Sequence, residues 1–175
     1  IKGFFAAEGH VKHSVYGTLE CITFAFNPKT EKSLALFVQK CLKKQKIHSK
    51  INKNGYIYFC NYEQMLIFYL AGLTGLNNDK NDKFCNLLKM SQFHIYFNED
   101  YKPESTEISQ SKLARIWGVS QATVSHYFYK KKINLKLAKI VLKNKNFISF
   151  VDHIKVGNSK IINRNSISFI IKEFL

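Results

Sequence analysis

Alternating apolar residues predict two β-hairpins in the first half of the chain. Ile22, Phe24 and Phe26 fall on one face of a strand, and polar or small residues fall on the other. Further along, the pair Asn54-Gly55 is typical of the tight turn that joins two neighbouring strands. Both segments are therefore expected to form antiparallel pairs with one buried face.

Stretches with apolar residues at helical spacing separate and follow these hairpins. Residues 34–42 repeat apolar side chains at the intervals of an amphipathic helix. The run 63–76 predicts another helix and residues 84–90 a short one, with the NNDKNDK segment between them as a loop. A short helix at the start of the chain completes the order helix, hairpin, helix, hairpin, helix. This order predicts an α+β domain over residues 1–98.

A different pattern lies beyond the polar connection at residues 98–107, where we place a domain boundary. Ala114, Gly118 and Val124 have the spacing of a helix-turn-helix, in which a small residue permits a close helix crossing and a glycine allows the turn. Ser120 is expected to cap the second helix. The alternative is a helical hairpin within a bundle. The remaining apolar segments are interpreted as supporting helices, which predicts a small all-α helix-turn-helix domain over residues 99–175.

The chain is strongly basic along its whole length. Its 175 residues include 27 Lys and Arg against 12 Asp and Glu, which gives a formal net charge of +15. The excess is shared almost equally between the two predicted domains, unlike that of a neutral protein with a basic tail. Basic charge on two folded domains favours a polyanionic partner, most often nucleic acid. The alternative is a protein whose lysines reflect a Lys- and Asn-rich, AT-biased genome.

The cysteines and the apolar runs exclude several other classes of protein. The four cysteines are widely separated and form no C-x-x-C pair, so the spacing of a zinc site is absent. They suit reduced thiols of an intracellular protein, cytoplasmic or, in a eukaryote, organellar. No run of 18 apolar residues predicts a transmembrane helix. A nucleotide-binding glycine loop and an H-E-x-x-H motif are also absent from the sequence.

The first nine residues, IKGFFAAEG, combine a stripe of small side chains with a single acid. Gly3, Ala6 and Ala7 would let another helix approach closely, so we expect a helix–helix interface there. Glu8 follows at the end of the helix, just before Gly9, where the helix is expected to stop. A lone acid beside a tight helix contact suits a shared metal site better than a solvated surface.

This nonapeptide resembles the LAGLIDADG signature of homing endonucleases. Gly3, Glu8 and Gly9 match the first glycine, the eighth-position acid and the last glycine of that motif, whereas Lys2 and Ala6 depart from it. The order of helices and hairpins behind the motif is also that of the family. The resemblance therefore implies an αββαββα domain whose saddle-shaped antiparallel sheet lies in the major groove of DNA.

The resemblance also implies an activity, the site-specific cleavage of double-stranded DNA by metal-dependent phosphodiester hydrolysis. In such an enzyme the end of the motif helix, here Glu8 and Gly9, would bind Mg²⁺ or another divalent cation. The second acid would come from another LAGLIDADG repeat, either in a second copy of the chain or in an absent N-terminal part. The intron or intein origin of such enzymes would apply to the gene.

Two further catalytic positions follow from the family pattern. Lys80 is the best match to a lysine that family members often place near the active site, and Lys83 is the next. Asn27 stands where a polar residue, commonly Gln, often follows the second strand. Because Pro28 comes directly after it and has no backbone donor, this position departs from the pattern.

The residues expected to contact DNA lie on the predicted sheet and on the second helix of the helix-turn-helix. On the sheet they are Lys12, Ser14, Tyr16, Cys21, Thr23, Lys50, Asn52, Tyr56 and Tyr58. On and after the helix they are Gln121, Ala122, Thr123, Ser125, His126, Tyr129, Lys130, Lys131 and Lys132.

Two other functions are compatible with the same residues. One is a non-catalytic, DNA-binding transcription regulator built on a LAGLIDADG scaffold. The other is an intron maturase, whose partner would be RNA. The retained acid Glu8 favours the endonuclease.

Overall fold

The computed structural model describes residues 1–103, 107–142 and 147–175. Parts of the predicted connection and of the predicted supporting helices, residues 104–106 and 143–146, lie outside this range. The chain forms two compact units, Ile1–Ser91 and Gln92–Leu175. Both contain helices and an antiparallel sheet, so the protein belongs to the α+β class. Within the described residues no helix has the length and apolar character needed to cross a membrane.

The first unit has the predicted succession of helices and hairpins around one sheet. Its strands are arranged in the order β1-β2-β4-β3, and each neighbouring pair is antiparallel. The elements are α1 (Lys2–Glu8), β1 (Gly9–His13), β2 (Leu19–Phe24), α2 (Lys32–Lys44), β3 (Lys50–Ile51), β4 (Ile57–Phe59), α3 (Tyr62–Leu70) and α4 (Asn78–Lys89).

A cluster of three phenylalanines ties α1 to the sheet and to α3. Phe5 of α1 packs edge-on against Phe24 of β2 and Phe68 of α3, with ring centroids 5.6 and 5.0 Å apart. Phe24 and Phe68 also meet, at 6.0 Å, and all three side chains are fully buried. A helix as short as α1 is not stable alone, so this packing determines where its end lies.

The NNDKNDK segment begins a helix, and the prediction of a loop there is wrong. The side chain of Asn77 accepts a hydrogen bond from the backbone N–H of Lys80 at 3.0 Å and thereby caps α4. Asp79 in the first turn adds favourable charge at that end. Helix α3 stops at Leu70, before the predicted residue 76. The polar composition of this segment suggested a loop, but the segment contains the N-cap and the first turn of α4.

The second unit contains a four-stranded sheet, so the prediction of an all-α domain is wrong. Its strand order is β6-β5-β7-β8, and each pair is antiparallel. The elements are β5 (Phe93–Phe97), α5 (Gln110–Trp117), α6 (Gln121–Lys130), β6 (Lys132–Asn134), α7 (Leu135–Val141), a 3-10 turn (Ile148–Phe150), β7 (Val151–Val156), β8 (Ser159–Ile161) and α8 (Arg164–Phe174).

Strand β5 explains why the sheet was missed and why the unit begins before residue 99. Phe93, Ile95 and Phe97 are buried, whereas the intervening His94 and Tyr96 are half-buried. This alternation is the signature of a strand, but its partners β6 and β7 lie far along the sequence. The division between the units therefore falls after Ser91, not at residue 98.

We predict that Gly9→Ala destabilises the first unit and that Gly3→Ala does not. A Cβ on Gly9 would lie 2.1 Å from the Phe5 ring and 2.5 Å from the Phe5 carbonyl oxygen. The expected loss is about 2 kcal/mol or more, because the buried ring has no room to move. A Cβ on Gly3 meets nothing within 4 Å, and alanine should favour the helix by about 0.5 kcal/mol.

Urea unfolding followed by far-UV circular dichroism measures both variants. Hydrogen exchange of the amides in residues 2–13 assigns the change to the α1–β1 junction. Equal stabilities for the two variants would contradict the close packing of Phe5 against Gly9.

Candidate functional site

Glu8 ends α1 with its side chain exposed to solvent. Its backbone carbonyl accepts a hydrogen bond from the N–H of Ala25 at 3.1 Å, which fixes the helix end against the strand β2. Among the described residues, the carboxylate itself takes part in no hydrogen bond or ion pair. The next residue, Gly9, is extended, with φ −80° and ψ 148°. Glycine is required here because the Phe5 side chain occupies the space that a Cβ would need. The backbone conformation of Gly9 is itself open to any residue, since its φ is negative.

Lys80 reaches the same helix end from the first turn of α4. Its ammonium group donates to the carbonyl oxygens of Phe5, Ala6 and Ala7 at 2.9, 2.8 and 3.4 Å. These carbonyls carry the negative end of the helix dipole, so a cation there is stabilising. The structure thus brings Lys80 to the helix that carries Glu8, whereas Lys83 is exposed on α4.

The small residues of α1 lie on a largely accessible face of the helix. Gly3 and Ala7 are exposed and Ala6 is half-buried. The space around Gly3 is open, as the absence of any neighbour within 4 Å of an added Cβ shows. Another helix backbone could therefore approach α1 along this side.

The candidate metal ligand at this helix end is the Glu8 carboxylate. The described residues contain no group of three His, Cys, Asp or Glu side chains arranged to hold a cation. Mg²⁺ takes six oxygen ligands in near-octahedral geometry and usually keeps several waters, with one or two protein carboxylates. The exposed Glu8 carboxylate fits as one such hard ligand, and the others would have to come from elsewhere. Gly9 offers only backbone atoms.

Asn27 is engaged in a local turn. Its side-chain oxygen accepts from the N–H of Lys29 at 3.0 Å, and its own N–H donates to the Glu31 carboxylate at 2.7 Å. Hydrogen bonds within the described residues do not link Asn27 to Glu8 or Lys80. The side chain expected to position water is therefore used to shape the loop after β2.

Most of the residues predicted to face DNA from the first sheet are accessible. Tyr16 is 86% exposed at the tip of the first hairpin, and the Nζ of Lys12 lies 5.5 Å from the centre of the Tyr56 ring. Ser14 and Tyr58 are half-buried, and the exposed members of the set are Lys12, Tyr16, Lys50, Asn52 and Tyr56.

Two of these polar side chains also hold the hairpin turns together. The hydroxyl of Ser14 bonds to that of Thr18 at 2.9 Å. The side-chain oxygen of Asn52 accepts from the N–H groups of Asn54 and Tyr56, both at 3.0 Å. Each turn thus has its own side-chain bridge, and any contact of these groups with DNA would compete with it.

Thr23 and Cys21 are not on an accessible surface, contrary to the prediction for both. Thr23 is 3% exposed and Cys21 is 7% exposed. The physical reason is that β2 is a central strand, where Thr23 lies between His10 on β1 and Tyr58 on β4. The alternation of residues predicts their side of the sheet correctly but not how much the neighbouring strands cover.

The helix-turn-helix segment has the geometry expected at its key positions. Gly118 is left-handed, with φ 61° and ψ 38°, and the hydroxyl of Ser120 accepts from the N–H of Thr123 at 3.2 Å. Leu113, Ala114 and Val124 pack between α5 and α6. The sequence pattern succeeded here because each of these requirements is local.

The side chains of α6 divide into accessible groups and groups with structural contacts. Tyr129 is 76% exposed, and Gln121, Ala122 and Lys130 are also exposed, whereas Ser125 and His126 are half-buried. The hydroxyl of Thr123 bonds to that of Ser120 at 2.9 Å.

Two of the lysines predicted near phosphates are already engaged within the second unit. Lys131 is the left-handed cap of α6, and its ammonium group donates to the carbonyl of Glu99. Lys132 lies on β6, where its Nζ stands 5.4 Å from the ring centre of Tyr96. Neither lysine therefore extends the exposed face of α6.

Sequence reasoning missed two polar features of the second unit. Lys136 donates to the carbonyl of Gly118 at 2.8 Å and so supports the turn of the helix-turn-helix. The second feature is the polar face of the sheet, which contains His94 and Tyr96. The alternation in the segment FHIYF was the available signal for that face, whereas nothing in the sequence pairs Lys136 with Gly118.

The thiol of Cys21 is strongly protected on β2. Burial, reinforced by the neighbouring Cys60 thiol, raises the pKa of Cys21 from 9.0 to about 12. The pKa of Cys60 is also raised, chiefly by burial. Since only the thiolate is nucleophilic, both groups are poor candidates for covalent chemistry.

We predict that Lys80→Met weakens the end of α1, while Lys83→Met leaves it unchanged. The first variant removes a cation bonded to three helix carbonyls, for which a loss of about 2 kcal/mol is expected. The second removes an exposed lysine of the same helix. Urea unfolding gives the stabilities, and hydrogen exchange of residues 2–9 locates the change. An equal effect of the two substitutions would argue against the cap.

We also predict that Cys21 resists alkylation at pH 8 while the first unit is folded. A pKa near 12 in place of 9.0 lowers the thiolate fraction about a thousandfold at this pH. The reaction should accelerate about tenfold for each unit of increasing pH and reach its ordinary rate in urea. Timed iodoacetamide labelling with peptide mass spectrometry measures this, and equal rates with and without urea at pH 8 would contradict it.

A scan of protein-family models, a search of curated proteins and a search of solved structures each found nothing that matches this chain. The functional interpretation therefore depends on the motif resemblance and on the geometry of the chain itself.

Proposed function

We propose that the protein is a site-specific double-stranded DNA endonuclease of the LAGLIDADG homing type. The observation that carries the proposal is the end of α1, where Glu8 is exposed and the ammonium group of Lys80 donates to the carbonyl oxygens of Ala6 and Ala7 just before it. The accessible face of Gly3 and Ala7 on the same helix supports it, because a second motif helix would need such a face. We also propose that the first sheet has the saddle shape with which the sheets of this family lie on DNA.

In this proposal Glu8 is one of two acids that hold Mg²⁺ over the scissile phosphates. When bound, the cation lowers the pKa of water and neutralises charge on the phosphate. Lys80 keeps a positive charge at the helix end and orients the last turn of α1, so it acts on the position of Glu8. The second acid comes from another repeat, supplied by a second copy of the chain or by an N-terminal part.

The basic charge of the protein supports DNA as the partner. Exposed Lys12 and Lys50 lie on the first sheet, and exposed Gln121 and Lys130 on α6. An antiparallel ribbon and a recognition helix both fit the major groove. Together the two units would contact a longer target than either alone, and the linkage would raise the effective concentration of the second contact.

A non-catalytic DNA-binding regulator is the second candidate, and one observation favours it. The side-chain oxygen of Asn27 is used by the N–H of Lys29, so the residue that would position water is committed to a turn. A regulator would need the sheet and α6 but neither Glu8 nor Asn27. The two candidates therefore differ in cleavage and agree in binding.

We predict that the protein with Mg²⁺ cuts both strands of a plasmid library that carries a randomised insert. Sequencing of the ends identifies the target. Glu8→Gln should lower the cleavage rate more than about 100-fold, because a direct metal ligand is lost, while binding is preserved. Asp82→Asn, which neutralises an exposed acid on α4, is the matched control and should cut like the unmodified protein.

The outcomes separate the candidates. Tight binding without cleavage at any Mg²⁺ or Mn²⁺ concentration would overturn the endonuclease and support the regulator. Binding of intron RNA in preference to DNA would support a maturase instead. Cleavage that survives in Glu8→Gln would remove Glu8 from the proposed site.

A further inference from the structure

One surface of the second unit has, apart from Lys132, no part in the functions considered so far. It is the face of the sheet opposite the buried side chains of β5. In the register of the strands, His94 lies between Asn134 and Lys155. Tyr96 lies between Lys132 and His153, and Lys160 pairs with Lys155. The polar face of the second sheet consists of His94, Tyr96, Lys132, Asn134, His153, Lys155 and Lys160.

The ring of Tyr96 organises the charges on this face. It stacks on His153 with centroids 4.5 Å apart and an interplanar angle of 9°. The Nζ atoms of Lys132 and Lys155 lie 5.4 and 5.5 Å from its centre, within the range of cation–π attraction. One aromatic ring thus holds two ammonium groups that come from opposite sides of β5.

The lysines of this face outnumber the acids on the same strands, although the one acid there also interacts with Lys160. Among the residues of β5, β6, β7 and β8 the one acid is Asp152, at the register shift between β5 and β7. Its carboxylate is engaged by Nδ1 of His153 at 2.6 Å. The pKa of His94 is lowered, first by burial and then by the charge of the neighbouring Lys132.

The arrangement favours phosphates over bases as the bound groups. His153 stacks on the Tyr96 ring, and the ammonium groups of Lys132 and Lys155 lie close to it, so the ring already has partners that a nucleobase would have to displace. The strand spacing and the two-residue offset between Tyr96 and His94 place the backbone of Lys132 about 12 Å from that of Lys155 and about 16 Å from that of Lys160. A row of this length matches a few consecutive phosphates of one backbone strand.

We propose that the polar face of the second sheet binds the phosphate backbone of duplex DNA. It forms a contact surface of the second unit additional to the helix α6. The proposal rests on the proposed function only for the identity of the partner, and it requires neither cleavage nor Glu8. Sequence selectivity is not expected from this face, because phosphates carry no base information.

The test compares two double variants of the full chain that remove the same charge. Lys155→Gln with Lys160→Gln removes two exposed lysines of the face. Lys139→Gln with Lys172→Gln removes two exposed lysines on α7 and α8. Affinity for a short mixed-sequence DNA duplex is measured over a series of salt concentrations. Circular dichroism and the fluorescence of Trp117 verify that both variants are folded.

The face variant should bind the duplex roughly tenfold more weakly at low salt, and the slope of log affinity against log salt should shrink by about 1.8. The control should change both quantities much less. In the unmodified protein, duplex DNA should shift the ring-proton resonances of Tyr96 and His153. Equal losses in the two variants, or unshifted ring resonances at saturation, would overturn the proposal.

Other arms separate this proposal from the proposed function. Tyr129→Ala tests the α6 contact, and its effect should add to that of the face variant because the two surfaces are distinct. If the protein does not cleave DNA but the face variant still reduces the salt dependence of binding, the endonuclease proposal fails and the proposed contact surface stands. A protein that binds no DNA would remove both. If the face variant binds single-stranded DNA more weakly but binds duplex DNA as tightly as the unmodified protein, duplex DNA is not the partner of this face.

Discussion

The candidate site depends on how one short helix is held. Seven residues of α1 cannot form a stable helix in water, so its position comes from Phe5 and Lys80. Phe5 anchors the helix among Phe24 and Phe68, and Lys80 bonds to its last carbonyls. Gly9 then allows the chain to turn directly into β1 across the Phe5 ring. The location of the Glu8 carboxylate follows from these contacts.

The net charge alone does not show which lysines can contact a partner, because that depends on where each lysine lies in the structure. Lys80, Lys131 and Lys136 donate to backbone carbonyls and so serve the fold. Other lysines, such as Lys12 and Lys160, are exposed on the two sheets. A net charge of +15 therefore combines lysines that cap helices and turns with lysines that are exposed on the sheets. All of them contribute to the potential that attracts a polyanion, and the second group can also contact it directly.

The features that could be predicted from the sequence are those with a local physical cause. Gly118 is left-handed and Ser120 caps α6 because the turn between two crossing helices requires both. The Asn54-Gly55 turn and the alternation around Phe24 gave the first sheet in the same way. The burial of Thr23 was not predictable, since it arises from strands on both sides of β2. The second sheet was not predicted, because β5 pairs with segments distant in sequence and its own alternation lies at residues 93–97, to which no element had been assigned.

The central position of β5 also has a consequence for synthesis of the protein on the ribosome. The first unit has all its strands by Phe59 and all its helices by Lys89, so it can begin to fold early. Strand β5 emerges next, but its partner β7 ends only at Val156. Its other partner, β6, ends at Asn134, so until Val156 at least one edge of the apolar and aromatic segment FHIYF is unpaired, and such edges readily associate with other chains. We therefore expect slow translation between β5 and β7 to lower the yield of correctly folded second unit, while the folding of the first unit is little affected.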